Sequence, residues 1–202
     1  MIHHILGKFL HLTYRFRHMM LGIMKTYMFR SVVMAGEKVK FLSSSEVFNI
    51  RGNKDAIIIE ENTIIRGELL TFKHGGKITI GKFCYIGENT KIWSASKITI
   101  GDRVLISHNV NIHDNNAHPL DSFERHEQFK LISSSGHPSK FYFLNEKPIV
   151  IGNDVWIGFN STILKGITIG NSSIIAANSV VINNVPPNVT IAGNPAKIIR
   201  NN

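Results

Sequence analysis

Cysteine is almost absent from this sequence, since Cys84 is the single one among 202 residues. One thiol excludes an internal disulfide and a cysteine-based zinc cluster, and it suits a reducing compartment. Charge is also sparse: 18% of the residues are charged and 43% are hydrophobic, a balance that excludes a disordered chain. We therefore expect one globular domain or one repeat array, located in the cytoplasm.

Acidic residues are nearly missing from residues 1–40, where Glu37 stands against seven Lys or Arg. This segment therefore carries six of the nine net positive charges of the chain. Apolar side chains recur in it every three or four residues, which predicts an amphipathic basic helix. The predicted apolar face consists of Ile2, Ile5, Phe9, Leu12, Phe16, Met19, Ile23 and Tyr27.

Long apolar runs are lacking too, because Lys8, Arg15, Arg17 and Lys25 interrupt every 20-residue window of this segment. The pattern argues against a transmembrane span and against a secretory signal. Two interpretations of the helix stay open. Its apolar face either packs on the protein or a sister subunit, or lies in an anionic membrane interface through residues 1–35. The second interpretation places the protein at the inner face of the membrane.

From about residue 57 the sequence repeats every six residues, which is typical of a solenoid. The longest series is Ile151, Ile157, Ile163, Ile169, Ile175 and Val181, with a small or β-branched residue four positions after each. A period of six fits neither a heptad nor a simple strand, and it predicts a three-sided parallel β-helix with aliphatic side chains stacked inside. Cys84 falls on one of the small inward positions, which predicts a buried structural thiol. The chain is thus mainly β, with a helical segment at 1–40 and a β-helix domain at 41–202 that includes a tail at 189–202.

The six-residue pattern stops at His118 and resumes at Pro148, so residues 119–148 are predicted to form one long excursion from the coil. Loops of this length in a compact domain are usually functional. Five aromatic residues in the excursion indicate that it docks on another surface. His118 itself falls on an inward position, which leaves a core role open beside a catalytic one.

Three stretches resemble the hexapeptide-repeat acetyltransferases, in particular sugar and bacterial polysaccharide O-acetyltransferases. They are NNAHPLD (115–121), DVWIGFNSTILKGITIG (154–170) and IIAANSVVINNVPPNVTIAGNPAKIIR (174–200). The resemblance covers about residues 57–200 and implies a left-handed β-helix and a homotrimer. It also implies acetyl transfer from acetyl-coenzyme A to a sugar hydroxyl of a surface polysaccharide or its precursor.

The resemblance points to a catalytic base as well. In the family the histidine of the HP motif, here His118, has this role, and imidazole titrates near neutral pH as a general base requires. Trp156 precedes an inward residue, so its indole is expected to point outward, and by resemblance it lines the site near the acyl end of coenzyme A. His113, Asp114 and Asn116 are the first candidates for orienting the base or the acceptor.

Coenzyme A is a polyanion, so basic residues are expected at its nucleotide end. By resemblance Lys197 and Arg200 contact the cofactor, and Ala177 makes a backbone contact along the pantetheine arm. The sequence departs from the family at Asn183, which replaces a lysine. Lys165 is therefore a further candidate for binding phosphate.

Three other functions stay open. An N-acetyltransferase acting on a nucleotide-linked amino sugar would use nearly the same base chemistry. A zinc hydratase would use His108, His113 and His118, whose five-residue spacing resembles the ligands of γ-class carbonic anhydrases, but an earlier coil offers only His74 near the expected position. A non-catalytic solenoid scaffold would hold partners with its helix and its excursion. We expect no metal and no nucleic acid partner, since no base-stacking motif accompanies the basic residues.

Overall fold

The computed structural model describes residues 2–136 and 140–202, with side chains from residue 10 onward. The chain begins with helix α1, Ile2–Phe29, in the segment where the sequence predicts a helix. It then winds around three sheets, A, B and C, which form the three sides of a prism. The parallel β-helix that the six-residue repeat predicts is therefore confirmed.

Each turn of the prism contributes one short strand to each sheet. Sheet A contains β1 (Met34–Ala35), β4 (Ile57–Ile59), β7 (Ile78–Ile80), β10 (Ile98–Ile100), β13 (Ile149–Ile151) and β16 (Thr168–Ile169). Sheet B contains β2 (Lys40–Phe41), β5 (Ile64–Ile65), β8 (Tyr85–Ile86), β11 (Leu105–Ile106), β14 (Trp156–Ile157), β17 (Ile174–Ile175), β19 (Val189–Gly193) and β20 (Ala196–Asn201). Sheet C contains β3 (Glu46–Asn49), β6 (Glu68–Thr71), β9 (Lys91–Ser94), β12 (Asn111–His113), β15 (Thr162–Ile163) and β18 (Val180–Val181). A 3₁₀ turn, Lys54–Ala56, precedes β4, and β20 closes sheet B by pairing antiparallel to β19.

The interior of the prism is a stack of aliphatic side chains. Every member of the predicted inward series from Ile151 to Val181 is at most 1% exposed, and the residues four positions later are buried as well. Cys84 occupies such a position, as predicted, and burial raises the pKa of its thiol. Burying one aliphatic side chain of this size contributes about 1.5–3 kcal/mol, so the stacked coils stabilise one another.

Four tight corners between sheets B and C, which follow β8, β11, β14 and β17, depend on asparagine. Their left-handed residues are Asn89, Asn109, Asn160 and Asn178, with φ between 57° and 59°. Asparagine adopts this conformation more readily than most residues with a side chain. Gly158 is required for another reason, because a Cβ there would lie 2.5 Å from the backbone nitrogen of Ala177 in the next coil.

Helix α1 packs on the first coil and closes that end of the prism. His18 Nδ1 lies 2.6 Å from Ser43 Oγ, and the rings of Phe29 and Phe41 meet edge to face with centroids 5.2 Å apart. The first strand begins at Met34, whereas the sequence places the boundary of the β-helix domain at residue 41. The first coil does not follow the six-residue pattern, because Phe29 and Phe41 fill its interior in place of isoleucine.

The face of α1 that packs on the coil differs from the apolar face that the sequence predicts. Ile23 and Tyr27 belong to the predicted face, and they are 58% and 85% exposed. The side chains of Ile2, Ile5 and Phe9 lie outside the described residues. Across the described ranges, the structure contains no helix with the length and apolar character needed to cross a bilayer.

The excursion leaves the coil after β12 and returns at β13, at the place that the sequence predicts. It contains helix α2, Ser122–Ser135, which the sequence analysis did not predict because the helix lacks an apolar stripe. Tyr142 and Leu144 from the excursion pack with Leu70 in a small second core. The other aromatic residues of the excursion are exposed, so docking involves fewer of them than expected.

Candidate active site

His118 lies at the start of the excursion, and its side chain is exposed and does not enter the core. The preceding residue, Ala117, has a φ of 62°, and the side-chain oxygen of Asn115 accepts a hydrogen bond of 2.7 Å from its backbone nitrogen. A left-handed conformation costs a residue with a side chain about 1–2 kcal/mol, which the Asn115 bond helps to offset. The NNAH sequence thus builds a local turn that holds His118 outside the coil.

Gln128, on α2, orients the imidazole ring. Its Oε1 lies 2.7 Å from His118 Nδ1, its amide nitrogen faces the carbonyl oxygen of Ala117 at 3.5 Å, and the side chain is buried. An amide oxygen can only accept a hydrogen bond, so in the neutral ring Nδ1 carries the proton and donates it to this oxygen. His118 Nε2 then has a free lone pair, which is the state required of a base.

A cavity of about 200 Å³ opens beside His118. Its lining residues are Phe72, Lys73, His74, Trp93, Ala117, His118, Gln128, Ile132 and Tyr142. Aromatic faces thus surround a few polar groups, which is the usual character of a small-ligand site. The cavity can hold a compact group next to the free nitrogen of His118.

Trp93 forms a wall of this cavity and is held by its neighbours. The indole N–H donates a hydrogen bond of 2.7 Å to Glu68, and Lys91 Nζ lies 5.2 Å from the ring centre. The ring of His113 stacks on the indole with centroids 4.8 Å apart and planes 8° apart. Burial, with a smaller contribution from the charge of Lys91, lowers the pKa of His113. His113, an expected acceptor residue, therefore packs as a support for Trp93.

Asp114, expected from the sequence to orient the base or the acceptor, is fully buried. One carboxylate oxygen accepts hydrogen bonds from Ser94 Oγ and the backbone nitrogen of Ser96, at 2.6 and 3.0 Å. The other accepts from the backbone nitrogen of Ala95 and the side-chain nitrogen of Asn115, at 2.8 and 2.9 Å. Both oxygens are therefore engaged, and Asp114 anchors the departing excursion to the preceding coil.

Lys165 and Asn116 contact each other at the base of the excursion. Lys165 Nζ donates a hydrogen bond to Asn116 Oδ1, and the backbone nitrogen of Asn116 donates to the carbonyl oxygen of Leu144 at 3.0 Å. Lys165 thus lies between β15 and β16, at the corner between sheets C and A, whereas Trp156 lies on sheet B. The side-chain oxygen of Asn116, expected to orient the acceptor, is engaged by this lysine.

Trp156 points outward from sheet B and is 52% exposed, as its position predicts. Strand pairing connects Trp156 to Ile174, Ile174 to Thr190, and Thr190 to Arg200. Paired residues lie on the same face of a sheet, so these four residues form one outward row on sheet B. Because neighbouring strands are about 4.8 Å apart, the row extends about 14 Å from Trp156 to Arg200.

The remaining expected cofactor residues lie at the same end of the prism. Lys197 is exposed and pairs with Ala192 in the β19–β20 hairpin, and Ala177 follows β17 at the corner between sheets B and C. His118 lies elsewhere, where the chain leaves sheet C toward sheet A. His118 and the residues expected to bind the cofactor therefore lie on different sides of one prism.

Trp93 and Gln128 are two of the cavity residues that the sequence does not single out. Trp93 directly follows the inward Ile92, so the argument that turns Trp156 outward could have found it. Gln128 follows no periodic pattern. The signal for its helix is a cap, since the side chain of Asp121 accepts a hydrogen bond of 2.9 Å from the backbone nitrogen of Glu124.

His74 is the second imidazole in the cavity lining. Its Nε2 lies 3.7 Å from Glu146 Oε1, beyond hydrogen-bond distance, and burial lowers its pKa against the opposing effect of this carboxylate. The zinc-hydratase interpretation needs three ligand side chains around one ion. Among side chains in 10–136 and 140–202, no three His, Cys, Asp or Glu residues come together in this way.

Residues 148–183 match the family model described as bacterial transferase hexapeptide (six repeats). The chain is 40% identical over 129 residues to galactoside O-acetyltransferase of Escherichia coli (strain K12), covering 64% of this chain and 56% of that protein. It is 39% identical over 118 residues to the putative lipopolysaccharide biosynthesis O-acetyl transferase WbbJ of the same organism, covering 57% and 56%. The chain thus spans a little over half the length of these relatives.

A solved structure of a galactoside acetyltransferase in complex with coenzyme A is similar to this chain, with a TM-score of 0.56 and 33% sequence identity. The match covers 75% of this chain and 67% of that one. The left-handed β-helix expected from the resemblance is thereby confirmed.

Proposed function

The chain belongs to the hexapeptide-repeat acetyltransferase family, and from that premise we propose that it transfers an acetyl group from acetyl-coenzyme A to a saccharide hydroxyl. The galactoside and lipopolysaccharide O-acetyltransferase relatives support an acceptor that belongs to a bacterial surface polysaccharide or its precursor. The coenzyme A complex of the related structure supports the donor. The single, buried cysteine suits a reducing compartment, so the proposed location is the cytoplasm.

In the proposed mechanism His118 Nε2 removes the proton of the acceptor hydroxyl as its oxygen attacks the thioester carbonyl. The tetrahedral intermediate then collapses, the carbon–sulfur bond breaks, and the imidazolium returns its proton to the departing thiolate. The products are an acetyl ester and free coenzyme A. General-base catalysis of this kind contributes about 10²–10⁴ in rate.

The observation that carries the proposal is the 2.7 Å hydrogen bond between His118 Nδ1 and Gln128 Oε1 at the edge of the cavity. It fixes the tautomer that leaves Nε2 free, and the same amide oxygen can accept the Nδ1 hydrogen bond before and after Nε2 takes the proton. Gln128 thus acts as a positioning residue for the base.

The cavity walls support a sugar ring as the acceptor. Trp93, which is only partly buried, presents an aromatic surface that suits the apolar face of a pyranose, while the exposed Lys73 offers a polar group for its hydroxyls. His113 contributes indirectly in this arrangement, because it supports the Trp93 ring.

We also propose that the enzyme is a homotrimer whose active sites lie between subunits. A cyclic assembly can bring the row from Trp156 to Arg200 of one copy to His118 of the next, whereas one prism has them on different sides. The test combines His118→Ala and Trp156→Ala chains, each of low activity alone, by co-expression. Random assembly at equal amounts should restore about one quarter of the wild-type activity, because about one site in four then receives both intact residues. A mixture as inactive as its components contradicts shared sites.

Release of the coenzyme A thiol tests the proposed reaction. Purified protein is given acetyl-coenzyme A with free sugars, nucleotide-linked amino sugars or polysaccharides. His118→Ala should lose about 10²–10⁴ in rate, while His126→Ala, an exposed histidine on α2, should keep wild-type activity. If none of these acceptor classes leads to release of the thiol, the proposal of acetyl transfer is overturned. Acetylation of amines alone supports the N-acetyltransferase alternative. Bound zinc, together with a hydration activity that chelation abolishes, supports the zinc hydratase.

A further inference from the structure

The outward face of α1 is a continuous apolar stripe. Its members Leu12, Phe16, Met20, Ile23 and Tyr27 are all exposed. At 100° per residue they fall within about 80° of the helix circumference. Exposed apolar surface of this extent usually marks an interaction site.

The opposite side of α1 holds the helix on the prism. Thr26 Oγ1 accepts a hydrogen bond of 2.9 Å from the backbone nitrogen of Phe41, and Lys25 Nζ donates one of 2.7 Å to Glu46. A Cβ at Gly22 would lie 3.4 Å from the carbonyl oxygen of Phe41, so the helix and the coil are in close contact there. The apolar stripe is therefore exposed to solvent, and at Ile23 and Tyr27 it borders a groove that Phe41 of the first coil also lines.

Positive charge borders this stripe on both sides. Arg15 and Arg17 each lie about 100° from its centre, one on either flank, and both are exposed. Neither has a hydrogen-bond or ion-pair partner among the described residues. The chain has no acidic residue before Glu37, so negative charge on this helix does not compete for them.

We propose that this face of α1 lies in the interface of a membrane that contains anionic phospholipid, with the stripe at the acyl boundary and Arg15 and Arg17 at lipid phosphates. Apolar side chains between flanking arginines match the layers of such an interface. A second copy of the same face is disfavoured, because it would bring these arginines against each other. The first coil would then lie next to the bilayer, with the prism extending away from it.

Vesicle co-sedimentation of the full chain tests this proposal, using neutral phosphatidylcholine vesicles and vesicles with added phosphatidylglycerol. We expect binding to the anionic vesicles that weakens as salt rises. Phe16→Glu should reduce the vesicle affinity by at least tenfold. Arg15→Gln combined with Arg17→Gln should reduce it by about 25-fold, at about fivefold for each cation. The matched control is Phe83→Glu, which replaces a phenylalanine with 56% exposure on the prism, against 59% for Phe16.

Circular dichroism and thiol release with a water-soluble acceptor verify that the variants are folded, and neither depends on vesicles. The proposal is overturned if the wild type does not bind anionic vesicles, or if Phe16→Glu binds them as the control does. It is also overturned if Phe16→Glu changes the sedimentation coefficient in the absence of lipid, since the stripe would then join copies of this chain. Acetyl transfer is measured separately, so its failure leaves the lipid test unaffected.

Discussion

Replacing Gln128 by leucine should remove the hydrogen bond that orients the proposed base while keeping a side chain of similar length. The Nδ1 to Oε1 distance is 2.7 Å and Gln128 is 3% exposed, so water has poor access to replace the lost oxygen. The bond matters most during the reaction, because the His118 ring becomes positively charged as it accepts the proton. The leucine variant should therefore lose transition-state stabilisation.

The size of this loss follows from the charge on the ring. A hydrogen bond to a charged group contributes about 1.5–3 kcal/mol, and each 1.36 kcal/mol changes a rate about tenfold. The kcat of Gln128→Leu should therefore fall about 10- to 150-fold. The KM for acetyl-coenzyme A should change little, because Trp156 and Arg200 are untouched.

Thiol release measured across pH separates orientation from a general structural effect. Gln128→Glu keeps an acceptor oxygen and adds a charge that favours the imidazolium, so the acidic limb of its kcat/KM profile should move to higher pH. Phe129→Ala, at the next and exposed position of α2, is the control and should behave as wild type. Wild-type kcat in Gln128→Leu refutes the reasoning. Equal losses in both Gln128 variants, with unshifted profiles, refute it as well.

Stability measurements test three further features of the structure. Asp114→Ala leaves buried hydrogen-bond donors without their carboxylate and should lower the free energy of unfolding in urea by about 3 kcal/mol. A variant of unchanged stability whose only defect is a higher KM for the saccharide contradicts this. Ile163→Ala should cost about 2–5 kcal/mol, whereas Leu164→Ala, at the next and exposed position, should cost under about 1 kcal/mol, and equal losses argue against the interior stack. Because burial lowers the pKa of His113, the folded chain binds fewer protons than the unfolded chain below about pH 6.5, so stability should fall on acidification. His113→Phe should reduce the change in the free energy of unfolding between about pH 7.5 and 5.5. An unchanged pH dependence contradicts the inference that His113 causes the loss of stability.

The β-helix could be predicted because each coil repeats the same residue pattern. An inward isoleucine and a small residue four positions later recur wherever the prism has three strands per turn, so the period is visible without knowing any distant contact. The first coil was hidden because Phe29 and Phe41 fill it by contact with a helix, and no repeat encodes that contact. The face of α1 that packs on the coil could not be predicted for the same reason. Polar contacts such as that between His18 and Ser43 select this face.

The candidate site was only partly predictable. His118 carries a short motif, but its partner Gln128 sits on a helix whose packing depends on the tertiary path of the excursion. The side chains of Lys165 and Asn116 meet across 49 residues, so the sequence could not show that this lysine is engaged. Asp114 looked like a functional carboxylate because the sequence does not reveal how many donors surround it.

The excursion enters and leaves the prism at one place. The carbonyl oxygen of Asp114 accepts a hydrogen bond of 2.8 Å from the backbone nitrogen of Lys147, and Ile149 then pairs with Ile98 of the preceding coil. The ladder therefore continues as if the intervening residues were not present. A segment attached in this way can change in length or sequence without shifting the register of any later strand. The residues proposed to contact the acceptor can thus vary in this segment, while the later coils, where the donor is proposed to bind, keep their structure.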